Sequence, residues 1–201
     1  MKSYYRWLKN NSLILCLLLF LLIFYTYKFS RSSIKVLQCK KQTEKAEPYS
    51  IAYRAAIKLN YQKEIETLVN SIEEALDYNA PDSEVSVFNR HYDSEPYYYQ
   101  TPYFYPSLIK SKEIYNKTQN AFDPTIAPYL NLWRAHKITN SEPSELDILA
   151  IKPSVSLDYI VVNKTRVKKL KENVTININN LIPGLQVDNI ANFFNRKRIY
   201  I

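Results

Sequence analysis

One glycine, Gly184, is all that 201 residues contain. Glycine is the default residue for backbone with positive φ, so Asn, Asp and Pro must make the turns here. No P-loop is present, and neither CxxC nor HExxH occurs, which removes the common phosphate-cradle, thiol-redox and zinc motifs. Cysteine is nearly as scarce. Cys16 lies inside an apolar run and Cys39 just beyond it, so the two do not pair across a lipid boundary. Leu15 precedes Cys16 and Gln38 precedes Cys39, and a lipid-modified cysteine wants a small residue there. The two histidines, His91 and His136, are far apart and read as solvated surface residues.

What is present is apolar and basic. Hydrophobic residues make up 46% of the chain, enough for one core, and 18 tyrosines are among them. The net charge is +8, with much of the excess at Lys2, Arg6, Lys9, Lys28, Arg31, Lys35, Lys40 and Lys41, beside the first apolar run. That placement points to a membrane surface and not to a nucleic-acid partner. Residues 13–25 read LILCLLLFLLIFY behind a basic start. This is the pattern of a signal peptide or signal anchor over residues 1–29, with a membrane helix expected over 12–29. No small-x-small cleavage site follows, which favours the anchor. Residues 30–45 are polar and read as a linker, and one domain is expected over 46–201.

Within that domain the periodicity predicts a strand at 49–57 and an amphipathic helix at 60–77, with Ile65, Leu68, Val69, Ile72, Ala75 and Leu76 on one face. A short helical turn is expected at 83–89 with Ser83 as N-cap, and helices at 106–118, 143–152 and 185–195. Residues 155–161 and 173–178 alternate as strands. The mixed order gives an α+β fold class.

No nucleophile–base pair is readable from spacing, so the catalytic residues are unknown. The segment with most chemical content is 118–134, TQNAFDPTIAPYLNLWR. Pro124 disfavours helix at Asp123, so a loop is expected, able to hold a carboxylate and main-chain amides against a ligand. The structural alternative has Asp123 and Thr125 capping a turn while Phe122 and Trp133 pack inward.

NAFDPTIAPYLNLWR resembles the GAFDPTVGPLVNLWG signature of the FAD:protein FMN transferases, the ApbE family. Other segments arrive in the family's order. PYSIAY resembles its GTTYSIKY strand, YNAPDSEVSVFN its YDPDSEISRFN element, and NINNLIPG its DLGAIAKG loop. The resemblance covers residues 46–201 and implies an ApbE-like, T-fold-related flavin transferase domain, incomplete at its C-terminal side. It implies transfer of FMN from FAD to a threonine of an acceptor flavoprotein, with release of AMP and dependence on Mg²⁺. It also implies a bacterial cell-envelope location, anchored in the inner membrane with the domain on the extracytoplasmic side.

Carried over by position, Ala121, Phe122 and Asp123 match the flavin-nucleotide-binding AFD. Tyr78 is nearest to an FAD-contacting tyrosine, with Asn79 its rival, and Asn177 stands where the family has an FAD-contacting Asp. Ile182 stands where an alanine carbonyl meets the metal. Departures are several. Ala46 replaces the GTTY glycine, Asn120 the glycine before AFDPT, Arg134 the glycine after the tryptophan, and Pro183 a lysine. The DADALAT-type motif that supplies metal ligands in the family is not among these residues. The alternative reading is therefore a catalytically inactive homologue that at most binds flavin or a partner at the envelope.

Overall fold

The computed structural model describes residues 11–29, 32–39, 49–56, 59–91 and 95–199. The basic residues before Asn11, and Ala46, lie outside the described residues. Two compact units are formed. One runs from Ile65 to Ile190; the other joins the chain before Ile65 to the segment from Ala191.

The flanking unit begins with helix α1 (Ser12–Phe29). It is apolar all round, and Leu17 through Phe24 are exposed. Its 18 residues reach about 27 Å at about 1.5 Å per residue, short of a hydrocarbon core of about 30 Å. Among the described residues no helix is long and apolar enough to cross a membrane, so the expected span is not supported. Where composition suggests a linker, Ser32–Cys39 form strand β1, antiparallel to β2 (Tyr49–Ala56), with Ser32 opposite Ala56 and Cys39 opposite Tyr49. Ile34 and Val36 carry the strand alternation that the polar composition obscures. Tyr53 is buried and stacks at 4.8 Å from Phe194, while its hydroxyl accepts from Tyr61 N. Tyr61 meets Phe193 edge-on, and Lys197 Nζ lies over both rings.

The central unit carries the main core. Helix α2 (Gln62–Leu76) buries Ile65, Val69, Ile72, Ala75 and Leu76 on one face, as its apolar spacing requires. Helix α3 (Glu84–Arg90) is capped by Ser83, whose Oγ accepts from Ser86 N. Helix α4 (Phe104–Lys117) starts two residues before Pro106, which sits in the first turn where it removes no helical bond. Helix α5 (Ala127–Ile138) occupies the second half of the segment expected to be a loop, from Ala127 on, with Pro128 in its first turn. Helix α6 (Glu145–Ile151) has the anticipated Ser144 cap, closed into a capping box by Asp147. Helix α7 (Ile182–Arg196) is the last helix of the described residues.

Three short strands, β3 (Tyr97–Tyr98), β4 (Ile160–Val162) and β5 (Arg166–Lys169), form an antiparallel sheet in the order β3-β5-β4. The strand expected at 155–161 is interrupted by a 3₁₀ turn, Leu157–Tyr159, and only its end pairs. The strand expected at 173–178 has the right alternation, with Val174, Ile176 and Ile178 all buried, yet joins no sheet. Its partner is a side chain, because Asn89 bonds the main chain of Ile176 at both N and O. The core gathers Leu76, Phe88, Phe104, Leu108, Ile160, Val167 and Ile176, with Phe88 and Phe104 edge-to-face at 5.4 Å.

Candidate functional site

Three stretches of the central unit converge at the residues singled out by sequence. The first is the loop between α4 and α5. Gln119 and Asn120 both take positive φ, 50° and 69°, as α4 ends, and Asn120 N–H returns to Tyr115 O at 2.9 Å. Asn120 thus takes a left-handed turn at the place where the resembling motif has glycine. Phe122 N–H donates to Thr118 Oγ1 at 3.0 Å. Asp123 Oδ1 accepts from Thr125 N at 2.8 Å and from Thr125 Oγ1 at 2.7 Å, and Thr125 is wholly buried. Asp123 therefore caps the turn through one oxygen; Oδ2 takes no partner among the described residues. The structural alternative holds for the cap at Asp123 but not for the inward packing of Trp133. It is 52% exposed, because α5 turns that face outward.

The second stretch is the turn after α2. Tyr78 is half-buried against the core, and its hydroxyl accepts from Asn131 Nδ2 on α5 at 3.2 Å. Its carbonyl accepts from Ser86 Oγ at 3.0 Å. The rival Asn79 is exposed and bonds only backwards, through N and Nδ2, to Asp77 Oδ1.

The third stretch is NINNLIPG. Asn177 N–H donates to Pro124 O at 2.7 Å, which docks this segment onto the AFDPT loop. Asn177 Oδ1 accepts from Asn179 N–H, and Asn179 reaches Tyr78 N and Asp77 Oδ1 with its carboxamide. Tyr78 and Asn177 thus share one hydrogen-bonded cluster, and it reaches Pro124, the residue that follows Asp123. Ala121 is exposed and Phe122 half-buried in the same loop. Sequence reasoning missed Asn89, Asn131 and Asn179; their only signal is the abundance of Asn in a chain with one glycine.

Behind the cluster, Lys169 Nζ donates to Asn89 O at 2.8 Å and lies 5.0 Å from the centre of the Phe88 ring. Burial pulls its ammonium down to about 8.

The residues present do not fit a magnesium cage. Among the described residues no group of three or more His, Cys, Asp or Glu could hold a metal ion. Ile182 is buried as the first residue of α7, not in an open loop, so its carbonyl enters the helical ladder. Magnesium needs six oxygens in octahedral array, and this carbonyl with Asp123 does not approach that.

The ApbE family profile matches residues 37–200. The chain belongs to the ApbE family. It is 24% identical over 143 residues to the FAD:protein FMN transferase of Vibrio cholerae serotype O1 (strain ATCC 39541 / Classical Ogawa 395 / O395), covering 69% of this chain and 42% of that protein. It is 26% identical over 134 residues to the enzyme of the same name from Chlamydia muridarum (strain MoPn / Nigg), covering 66% of this chain and 42% of the relative. The solved flavin transferase ApbE from Vibrio cholerae superposes with a TM-score of 0.69 at 20% identity, over 83% of this chain and 55% of that one. The apo flavinyl transferase ApbE of Pseudomonas stutzeri gives 0.68 at 18% identity, over 82% of this chain and 53% of the other. The ApbE-like fold of mixed helix and sheet is thereby shown. The chain spans about half the length of these relatives, 42% to 55%.

Proposed function

We propose that these residues form the flavin-nucleotide-binding part of an FAD:protein FMN transferase. The observation that carries the reading is the cluster that ties the AFD loop, Tyr78 and Asn177 together within an ApbE-family domain. In the proposed reaction the hydroxyl oxygen of an acceptor threonine bonds to the FMN phosphorus of FAD. The pyrophosphate P–O bond breaks, AMP leaves with its electron pair, and the threonine proton passes to a base. Catalysis of such a transfer is chiefly positioning and charge stabilisation. Within it, the AFD loop offers main-chain groups and the Asp123 Oδ2, and Tyr78 offers a ring face for a planar heterocycle. Magnesium dependence follows from the resemblance alone.

The test has two arms. The full chain in detergent is titrated with FAD by fluorescence, and saturable binding is expected. Chain, FAD, Mg²⁺ and a threonine-bearing acceptor domain are then incubated and examined for covalent in-gel flavin fluorescence. The 201 residues are expected to label the acceptor only when the family portion they do not span is supplied. A band from the chain alone would place the cation ligands among these residues. Absence of saturable FAD binding sinks the reading.

We also infer export, with residues 1–29 as the targeting segment and the catalytic domain outside the cytoplasm. The apolar, all-round exposed α1 supports this. An alkaline phosphatase fusion after Ile199 should be active, and an inactive fusion would refute export.

A further inference from the structure

One side chain of the central unit joins segments 101 residues apart using both ends of its amide. Asn179 Oδ1 accepts from Tyr78 N at 2.7 Å, and Nδ2 donates to Asp77 Oδ1 at 2.8 Å. Its own N–H donates to Asn177 Oδ1 at 3.1 Å. The two carboxamide bonds fix the orientation of the amide, since exchanging O and N would set donor against donor and acceptor against acceptor. Asn177 N–H then reaches Pro124 O at 2.7 Å, inside the AFD loop. Asn179 is therefore the node through which three segments share one register. The resembling family motif has glycine at this place, and glycine makes neither side-chain bond.

We propose that Asn179 is a positioning residue of this flavin site, holding Tyr78 and Asn177 against the loop 121–125; the proposal rests on the flavin-site reading. It acts through those two residues and not on the nucleotide. The physical case is preorganisation. Tyr78 belongs to a turn, and Asn177 to an extended stretch that joins no sheet. Neither has a ladder to fix it, so binding would otherwise have to order both.

The experiment compares wild type, N179A, N179D and D77N/N179D in the full chain. Two readouts are taken: hydrogen exchange of the Tyr78 amide, and FAD affinity. N179A removes both bonds; faster exchange at Tyr78 and about tenfold weaker FAD binding are expected, the usual effect of one or two net hydrogen bonds. N179D keeps an acceptor for Tyr78 N–H but sets a carboxylate against Asp77, so it should also bind more weakly. D77N/N179D removes the repulsion between the two carboxylates and keeps the acceptor for Tyr78 N–H, though it gives up the Asn79 bonds to Asp77 Oδ1, so Tyr78 should exchange more slowly than in N179D, which a loss of general packing would not produce. Unchanged Tyr78 exchange in N179A overturns the proposal, as does a double variant that exchanges at Tyr78 as fast as N179D. A wild type without saturable FAD binding overturns the reading of the site itself, and the exchange data separate that result from failure of the clamp.

Discussion

The two loops that meet at the candidate site are built on opposite plans. Loop 118–125 supports itself. Its own donors stay at short range, from Asn120 to Tyr115, from Phe122 to Thr118 and from Thr125 to Asp123, and its long-range bond is one it accepts, at Pro124 O from Asn177. The segment 174–179 is held from outside. Asn89 clamps Ile176, Pro124 O accepts from Asn177 N–H, Tyr78 N–H donates to Asn179 Oδ1, and Asp77 accepts from Asn179 Nδ2. A self-supporting loop confines a substitution to its own turn. A loop held from outside transmits damage to several segments, because each clamp has two ends.

The largest effect that follows is at Asn89. Asn89→Ala strips partners from both N and O of the wholly buried Ile176. Each orphaned buried group costs about 1–3 kcal/mol, so a loss of about 2–4 kcal/mol is expected in a urea unfolding curve. A loss below 1 kcal/mol would mean that the segment finds other partners, and the contrast between the loops would collapse. Next comes Asp123→Ala, which removes two acceptor contacts from the buried Thr125. About 1–3 kcal/mol of stability should go with it. FAD affinity should fall about tenfold to a hundredfold if the free carboxylate oxygen takes a charged hydrogen bond. Equal FAD binding by wild type and variant would remove Asp123 from the site and leave it a turn residue.

The same contrast explains what could be read from the sequence. Asp-Pro-Thr after Asn120 forces a turn by local chemistry, and the turn is there. The Ser83 and Ser144 caps were legible for the same reason. Helix α5 was not, because Pro124 and Pro128 look like breakers. The second sits in a first turn, where its missing N–H costs nothing. Val174, Ile176 and Ile178 alternate as a strand does, but periodicity reports burial and not the identity of the hydrogen-bonding partner. Asn89 and Asn179 left no local trace, since the bonds they make join positions more than 80 residues apart.

A smaller effect, in pH, bears on the outside support. Lys169 donates to Asn89 O and is pulled to about 8 by burial. An unfolded lysine titrates near 10.4. Between about 8 and 10.4 the unfolded chain binds more protons than the folded one, so stability should rise with pH across that window. Below it both states are charged and the burial penalty is present in full. Lys169→Met should flatten the rise, seen as equal denaturation midpoints at pH 7 and pH 9.5. A slope that survives the substitution would assign it to another group. Half-exposure of the ammonium makes this effect smaller than that at Asp123.

The smallest effect should come from the position that departs most visibly from the family. Asn120 has φ of 69° where the resembling motif has glycine. A left-handed conformation costs an ordinary L-residue about 1–2 kcal/mol, but Asn tolerates it better than most. Glycine would remove that strain while adding about 0.5–1 kcal/mol of unfolded-chain entropy. The two nearly cancel, so Asn120→Gly should change stability by less than about 0.5 kcal/mol. Gln119, at φ 50°, has no such tolerance, and Gln119→Gly should stabilise by a few tenths up to about 1 kcal/mol. Measured side by side by urea unfolding, the pair isolates the turn from everything docked on it. If Asn120→Gly instead destabilises by 1 kcal/mol or more, the asparagine side chain makes a contact outside its own turn. The loop would then be held from outside like its partner, and the division between the two would fail where it looks most secure.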